Sequence, residues 1–224
     1  RRQRQMCIRD SMNSRTQILQ NIRDALQQKN IRPYTDANIS ETAYIDTGEA
    51  LEILFAKNLN QAAGKFIYCE DESVFLELLL DLVAEKQWRH LYCWDEDLQN
   101  LLKAADFNNC RLGSNLDRAD AGLTFCESLI AERGSIVMSS ALSAGRALSI
   151  FPNVHIVLAY FSQLVFDITE AFALLKLKYG DNLPSMISLT TGPSRTADIE
   201  KTLVMGAHGP KEVYVFLIDD ADIF

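Results

Sequence analysis

Gly64-Lys65-Phe66-Ile67-Tyr68-Cys69 is followed, after Glu70-Asp71-Glu72, by Ser73-Val74-Phe75-Leu76-Glu77-Leu78-Leu79-Leu80-Asp81-Leu82-Val83-Ala84-Glu85 and then by His90-Leu91-Tyr92-Cys93-Trp94. The first run is short, apolar and aromatic behind a glycine stop, the pattern of a buried strand. The second is longer and carries a strongly apolar face, the pattern of a helix. The third is strand-like again, and Asp95 to Ala105 returns to a helical pattern. Strands that alternate with helices predict an α/β domain with a parallel sheet covered by helices on both faces.

Upstream, Thr47 to Leu59 reads as a helix with Leu51, Leu54, Phe55 and Leu59 on one side. From Ser14 to Lys29, Ile18, Ile22 and Leu26 recur every four residues beside Leu19 and Ala25, an amphipathic helix. It suits an arm that packs on the domain or on a partner chain, a homo-oligomer included. Asn30 to Ser40, with Pro33, reads as a linker. Residues 1–11 lack an apolar period and are basic, with Arg1, Arg2, Arg4 and Arg9 against Asp10. They are expected to be a non-native or disordered tail. The chain thus divides into a tail at 1–11, a helical arm and linker at 12–40 and an α/β domain at 41–224. Downstream, Leu123–Phe125, Ser135–Ser139, Val154–Tyr160, Ile187–Thr190 and Glu212–Ile218 read as strands, and Ser162–Lys178 and Thr196–Val204 as helices.

A chain of 224 residues with 48% apolar side chains can bury a large core without covalent staples. Its formal charge of −8 repels phosphate backbones, which argues against general nucleic-acid binding. The five cysteines, Cys7, Cys69, Cys93, Cys110 and Cys126, show no CxxC spacing and do not read as metal, iron–sulfur or disulfide ligands; Cys69 and Cys93, within strand-like runs, read as buried packing thiols. No apolar run is long enough to span a bilayer and no secretory h-region opens the chain, so a cytoplasmic location is expected.

Three stretches carry candidate chemistry. In Thr190-Thr191-Gly192-Pro193-Ser194-Arg195-Thr196-Ala197-Asp198-Ile199-Glu200, a strand ends in a Gly-Pro turn before an expected helix. Unpaired N–H groups at such a helix start, with Gly192, Ser194, Arg195, Thr196 and Asp198 around them, would cradle a carboxylate or phosphate. The competing reading makes Thr196 an ordinary N-cap with Asp198 and Glu200 in the first turn, and Arg195 a partner of some nearby carboxylate. No GxxxxGK[ST] or GxGxxG is present to support nucleotide binding. In Gly206-Ala207-His208-Gly209-Pro210, His208 is either a donor or general acid/base, or a loop histidine bonded to a carbonyl. In Ala131-Glu132-Arg133-Gly134-Ser135, Glu132 is either a base or nucleophile, or an ordinary turn residue. Asp120 and Thr124 flank a strand start, and Arg146 precedes another strand. His90 and His155 read as structural, and a metal site is not expected.

Asp120-Ala121-Gly122-Leu123-Thr124, Glu132-Arg133-Gly134-Ser135, Arg146 followed by Pro152, the run from Gly192 to Glu200, and His208-Gly209-Pro210 occur in the order found in the lactate-utilisation (LUD) domain family. The opening Met12-Asn13-Ser14-Arg15, with Ile18-Leu19 and Ile22-Arg23 after it, resembles the start of that family's protein C branch. The resemblance implies a three-layer Rossmann-like sheet similar to the ribose-phosphate isomerase and CoA-transferase group, behind an N-terminal helical arm. It implies an accessory component of L-lactate oxidation to pyruvate. Iron–sulfur clusters would lie on partner proteins, with no cofactor in this chain. By analogy with the CoA-transferases of that fold group, Glu132 is the residue to compare with their nucleophile. Arg133 departs from the family pattern, in which a small hydroxyl residue is more usual.

On this reading the motifs converge on one cleft at the carboxyl ends of the strands. Arg146, Gly192, Ser194, Arg195, Thr196 and Asp198 would hold a small anionic ligand, and Glu132 and His208 would be available for proton transfer. Two other readings stand beside it: a stand-alone enzyme on a phosphorylated or CoA-linked substrate, and a non-catalytic assembly module that docks through its N-terminal helix.

Overall fold

The computed structural model describes residues 15–25, 27, 48–105, 107, 110–111, 116–144, 146–199 and 202–220. The expected tail at 1–11 and linker at 30–40 lie outside the described residues. The chain forms two units, Arg1–Thr47 and Gly48–Phe224. In the first, residues 15–25 form a helix, α1, where the period-four apolar pattern predicts one.

The second unit begins with α2 (Leu51–Gln61), β1 (Lys65–Cys69), α3 (Glu72–Lys86), β2 (Leu91–Cys93) and α4 (Glu96–Ala104), the predicted alternation. Asp71 caps α3 by accepting from the Val74 N–H, and Asp95 caps α4 by accepting from the Asp97 and Leu98 N–H groups. Each cap satisfies donors that a helix start leaves unpaired. β3 (Cys110–Arg111), β4 (Ala121–Phe125), β5 (Ser128–Ile130), β6 (Ser135–Ser139), β7 (Val154–Tyr160) and β8 (Leu164–Val165) follow, then α5 (Ile168–Tyr179), β9 (Ile187–Thr190), β10 (Arg195–Ile199), β11 (Thr202–Met205) and β12 (Glu212–Ile218).

The central sheet is six-stranded, in the order β1-β12-β7-β4-β2-β3, and every pairing in it is parallel. Its strands are apolar on both faces. Val154, Ile156 and Leu158, with Tyr214, Phe216 and Ile218, pack against Phe75, Leu79, Leu98 and Leu102 of α3 and α4. The alternate residues Val157, Ala159, Val213, Val215 and Leu217 join a second core with Phe55 and Leu59 of α2.

Helices thus lie on both faces, as expected, but the second face carries more than helices. α2 shares that second face with a four-stranded sheet, β8-β5-β6-β9, which contributes Leu129, Ile136, Met138 and Leu164 to the core. α5 packs on this sheet through Ala171 and Leu175 against Ile130, Val137 and Val165.

Two predicted helices also change. The one expected at Ser162–Lys178 begins at Ile168, because Leu164-Val165 pairs in parallel with β5. Asp167 then caps it, accepting from the Glu170 N–H while the Glu170 carboxylate accepts from the Phe166 N–H. The helix expected at Thr196–Val204 is an antiparallel hairpin, β10–β11, with Arg195 opposite Met205, Thr196 opposite Val204 and Ile199 opposite Thr202. Thr196, Ile199, Thr202 and Val204 are β-branched and suit a pleated ribbon better than a helix.

Candidate functional site

The predicted site residues fall into two places, and the one that holds most of them is not at the carboxyl ends of the central strands. The first lies along the C-terminal half of α2, which leads through Gly64 into the amino end of β1. The Asn58 amide donates to the carbonyls of Ala131 and Glu132, both at 2.9 Å, and the Glu132 N–H donates to Phe166 at 3.0 Å. Gly134 lies flush on the helix: its φ is +61° and a Cβ there would come within 2.2 Å of the Leu59 nitrogen. The next residue, Ser135, shares a 2.7 Å hydroxyl hydrogen bond with Thr191. Gly192, at φ +69°, backs onto the end of α2, where a Cβ would meet the Ala62 carbonyl oxygen at 2.3 Å. Both turns therefore require glycine, for backbone conformation and for close approach.

Arg195 reaches the same carbonyl and donates from Nη2 to Ala62 at 2.5 Å. A cation on the last carbonyls of a helix satisfies an acceptor and complements the negative end of the dipole. The helix start that was expected to follow Arg195 is absent, since β10 stands there, so no helix-dipole cradle exists at this position. The Ser194 N–H donates to Pro210 and its carbonyl accepts from Gly206, which binds the exposed loop carrying His208 against this corner. Thr196 pairs across the hairpin with Val204, and Asp198 lies farther along β10. The Glu132 carboxylate is mostly buried and meets the exposed Arg133 Nε at 3.3 Å.

Arg146 is in the second place. Its Nη2 donates to Ser185 Oγ at 2.7 Å, and Ser185 meets Ser140 at 3.2 Å. Ser140 follows the far end of β6, whereas Ser135 at the near end joins Thr191. β6, five residues and so roughly 13 Å long, runs between the two places.

Charge distinguishes the two edges of the central sheet. At the amino edge, Glu212 accepts from Lys65, from Lys86 at 3.2 Å and from Tyr214 at 2.8 Å. The Lys65 hydrogen bond, against burial and with help from Tyr214 and Lys86, holds the Glu212 carboxyl down to about 2. At the carboxyl edge, Glu70, Asp71, Glu72 and Asp219 follow β1 and β12. Two hollows of about 640 and 780 Å³ meet there at Tyr68 and Asp219. The Tyr68 hydroxyl donates to Asp219 at 2.7 Å, and that bond, with burial and nearby carboxylates, pushes the phenol up to about 12. Glu132, Arg146, Arg195 and His208 line neither hollow.

Three further polar residues, of which the sequence reading passed over only Glu127, are tied into the fold. Glu127, after β4, is buried and accepts from Ser139 at 2.5 Å, Tyr179 at 2.7 Å and Lys178 at 2.8 Å. Burial opposes its ionisation, yet Lys178, Ser139 and Tyr179 together hold the carboxyl below its ordinary value. His155, fully buried in β7, shares a 2.9 Å hydrogen bond between its Nε2 and Thr124. Its Nδ1 has no hydrogen-bond partner, and burial lowers the imidazole to about 4. Asp120 accepts from the N–H groups of Arg89 and His90, at 2.8 and 2.9 Å, and so fixes the entry to β2. Cys69, Cys93 and Cys126 are buried.

Comparison with known proteins agrees with this architecture. The model of the LUD domain matches residues 53–218. Lactate utilization protein C of Geobacillus sp. (strain WCH70) is 31% identical over 80% of this chain and 71% of its own length. That of Bacillus subtilis (strain 168) is 34% identical over 73% and 67%. That of Bacillus licheniformis is 40% identical over a shorter stretch, 46% of this chain and 44% of its own length, so the chain spans under half of that relative. Among solved structures, a DUF162 family protein from Deinococcus radiodurans superposes with a TM-score of 0.57 at 20% identity, covering 75% of this chain and 96% of that one. The structural likeness supports the fold, and the sequence matches establish the lineage: this chain belongs to the LUD-domain family.

Proposed function

We propose that the chain serves in lactate utilisation, as an accessory component of L-lactate oxidation to pyruvate that acts beside iron–sulfur partner proteins. The observation that carries this reading is its 31% identity to a lactate utilization protein C along 71% of that protein. Redox chemistry is assigned to the partners because the five cysteines here have no cluster-ligand spacing, and Cys69, Cys93 and Cys126 are buried in the core.

A small carboxylate would be held at the amino-edge corner rather than in the acidic hollows, whose carboxylates repel it. Arg195 spends one N–H on Ala62, and a guanidinium carries five. Ser194 and His208 stand beside it, and Glu132 would serve proton transfer from the neighbouring turn. Arg146, across β6, would bind an anion only at a separate point.

The test is recovery of the tagged full-length chain from cells grown on L-lactate. Co-purification with proteins that contain acid-labile sulfide is expected. Recovery free of such proteins, in extracts that still oxidise L-lactate, would overturn the accessory role.

A further inference from the structure

We propose that the hollow between α2 and the carboxyl end of β1 binds a small organic cation, an ammonium group on an apolar body. Its volume, about 640 Å³, lies within the range of small-molecule sites. It also lies at the carboxyl edge of an all-parallel sheet, where open α/β folds place ligands. Ile53, Phe66 and Phe161 supply an apolar wall, Tyr68 adds a third aromatic ring, and Glu52 and Asp219 supply carboxylates.

Aromatic faces and carboxylates both attract a cation and both disfavour an anion. Ionised carboxylates only accept hydrogen bonds, so the ligand must bring the donors. Among the described lining residues the one lysine, Lys57, is paired with Glu49 at 2.6 Å, which leaves Glu52 and Asp219 as the carboxylates of the lining. The adjoining hollow, with Glu70, Asp71 and Glu72, extends the same sign of charge. Tyr68 donates to the Asp219 carboxylate at 2.7 Å, which ties this aromatic ring to the acidic part of the lining. This site is independent of the lactate reading, which places its anion elsewhere.

Calorimetric titration of the full chain at low ionic strength tests the proposal with three probes of one shape: phenethylamine, phenylethyl alcohol and hydrocinnamate. The amine is expected to bind, roughly tenfold to a hundredfold more tightly than the alcohol, the span of one or two charge-assisted hydrogen bonds. Hydrocinnamate is expected not to bind. Glu52→Gln and Asp219→Asn, checked for unchanged circular dichroism, should each weaken the amine and leave the alcohol unchanged. Equal binding of amine and alcohol, no binding of the amine, or full amine affinity in both variants would each overturn the assignment. A capped lysine peptide that bound more tightly than phenethylamine would refute a small-molecule ligand in favour of a protein side chain.

Discussion

Lowering the pH should weaken this fold through His155. Its imidazole is fully buried, bonded through Nε2 to Thr124 and unpartnered at Nδ1, and burial lowers it from 6.5 to about 4. The folded chain therefore keeps His155 neutral while the unfolded chain takes up a proton. Stability contributed by this group is complete above pH 6.5, falls as the pH drops from 6.5 toward 4, and levels off below 4. A difference of about 2.5 pH units corresponds to roughly 3 kcal/mol. Glu127 and Glu212, both held below their ordinary values, also lose stability in acid, so the wild type alone does not isolate the effect. His155→Gln does, since the amide can still reach Thr124 but does not titrate. Urea unfolding followed by the fluorescence of Trp88 and Trp94 at pH 7, 5.5 and 4 gives the double difference. The wild type should lose about 3 kcal/mol more than the variant between pH 7 and 4. A wild-type-to-variant difference that stays constant across that range would refute the reasoning.

Gly192→Ala places a side chain at positive φ against the Ala62 carbonyl and should cost about 1–3 kcal/mol in urea unfolding. Arg195→Ala removes the cap of α2 and should lower stability by about 0.5–1 kcal/mol; unchanged stability would return Arg195 to a purely ligand-binding role. Glu127→Ala leaves Ser139, Tyr179 and Lys178 without their shared acceptor and should cost about 2 kcal/mol. Burial pushes the Cys69 thiol up to about 11 and Cys126 higher still, so peptide mapping should show both unalkylated by iodoacetamide at neutral pH until denaturant is added.

The central sheet was legible because its strands are apolar runs bounded by turn residues. Lys65–Cys69, Val154–Tyr160 and Glu212–Ile218 were read with their observed limits. The β10–β11 hairpin was misread because Ile199 and Leu203 stand four apart, and Thr196 with Asp198 and Glu200 imitates a capped helix start. The contrary signal, β-branched residues at 196, 199, 202 and 204, was present. Leu164-Val165 was absorbed into α5 because the apolar run is continuous, although Asp167 and Glu170 marked the true start.

At the site, the sequence order of Glu132, Gly192, Arg195 and His208 brought out one corner of the molecule but not its edge of the sheet. That depends on which loops return to which strand ends. The bond of Arg195 to Ala62 and that of Glu127 to Lys178 join residues 133 and 51 positions apart, and nothing local to either residue encodes the pairing.

The most direct test of a role in lactate utilisation is L-lactate consumption by cells from which the gene for this chain alone has been removed, in a background without other lactate dehydrogenases. Consumption should stop and should return when the intact chain is supplied. Undiminished consumption in the deleted strain would contradict the account.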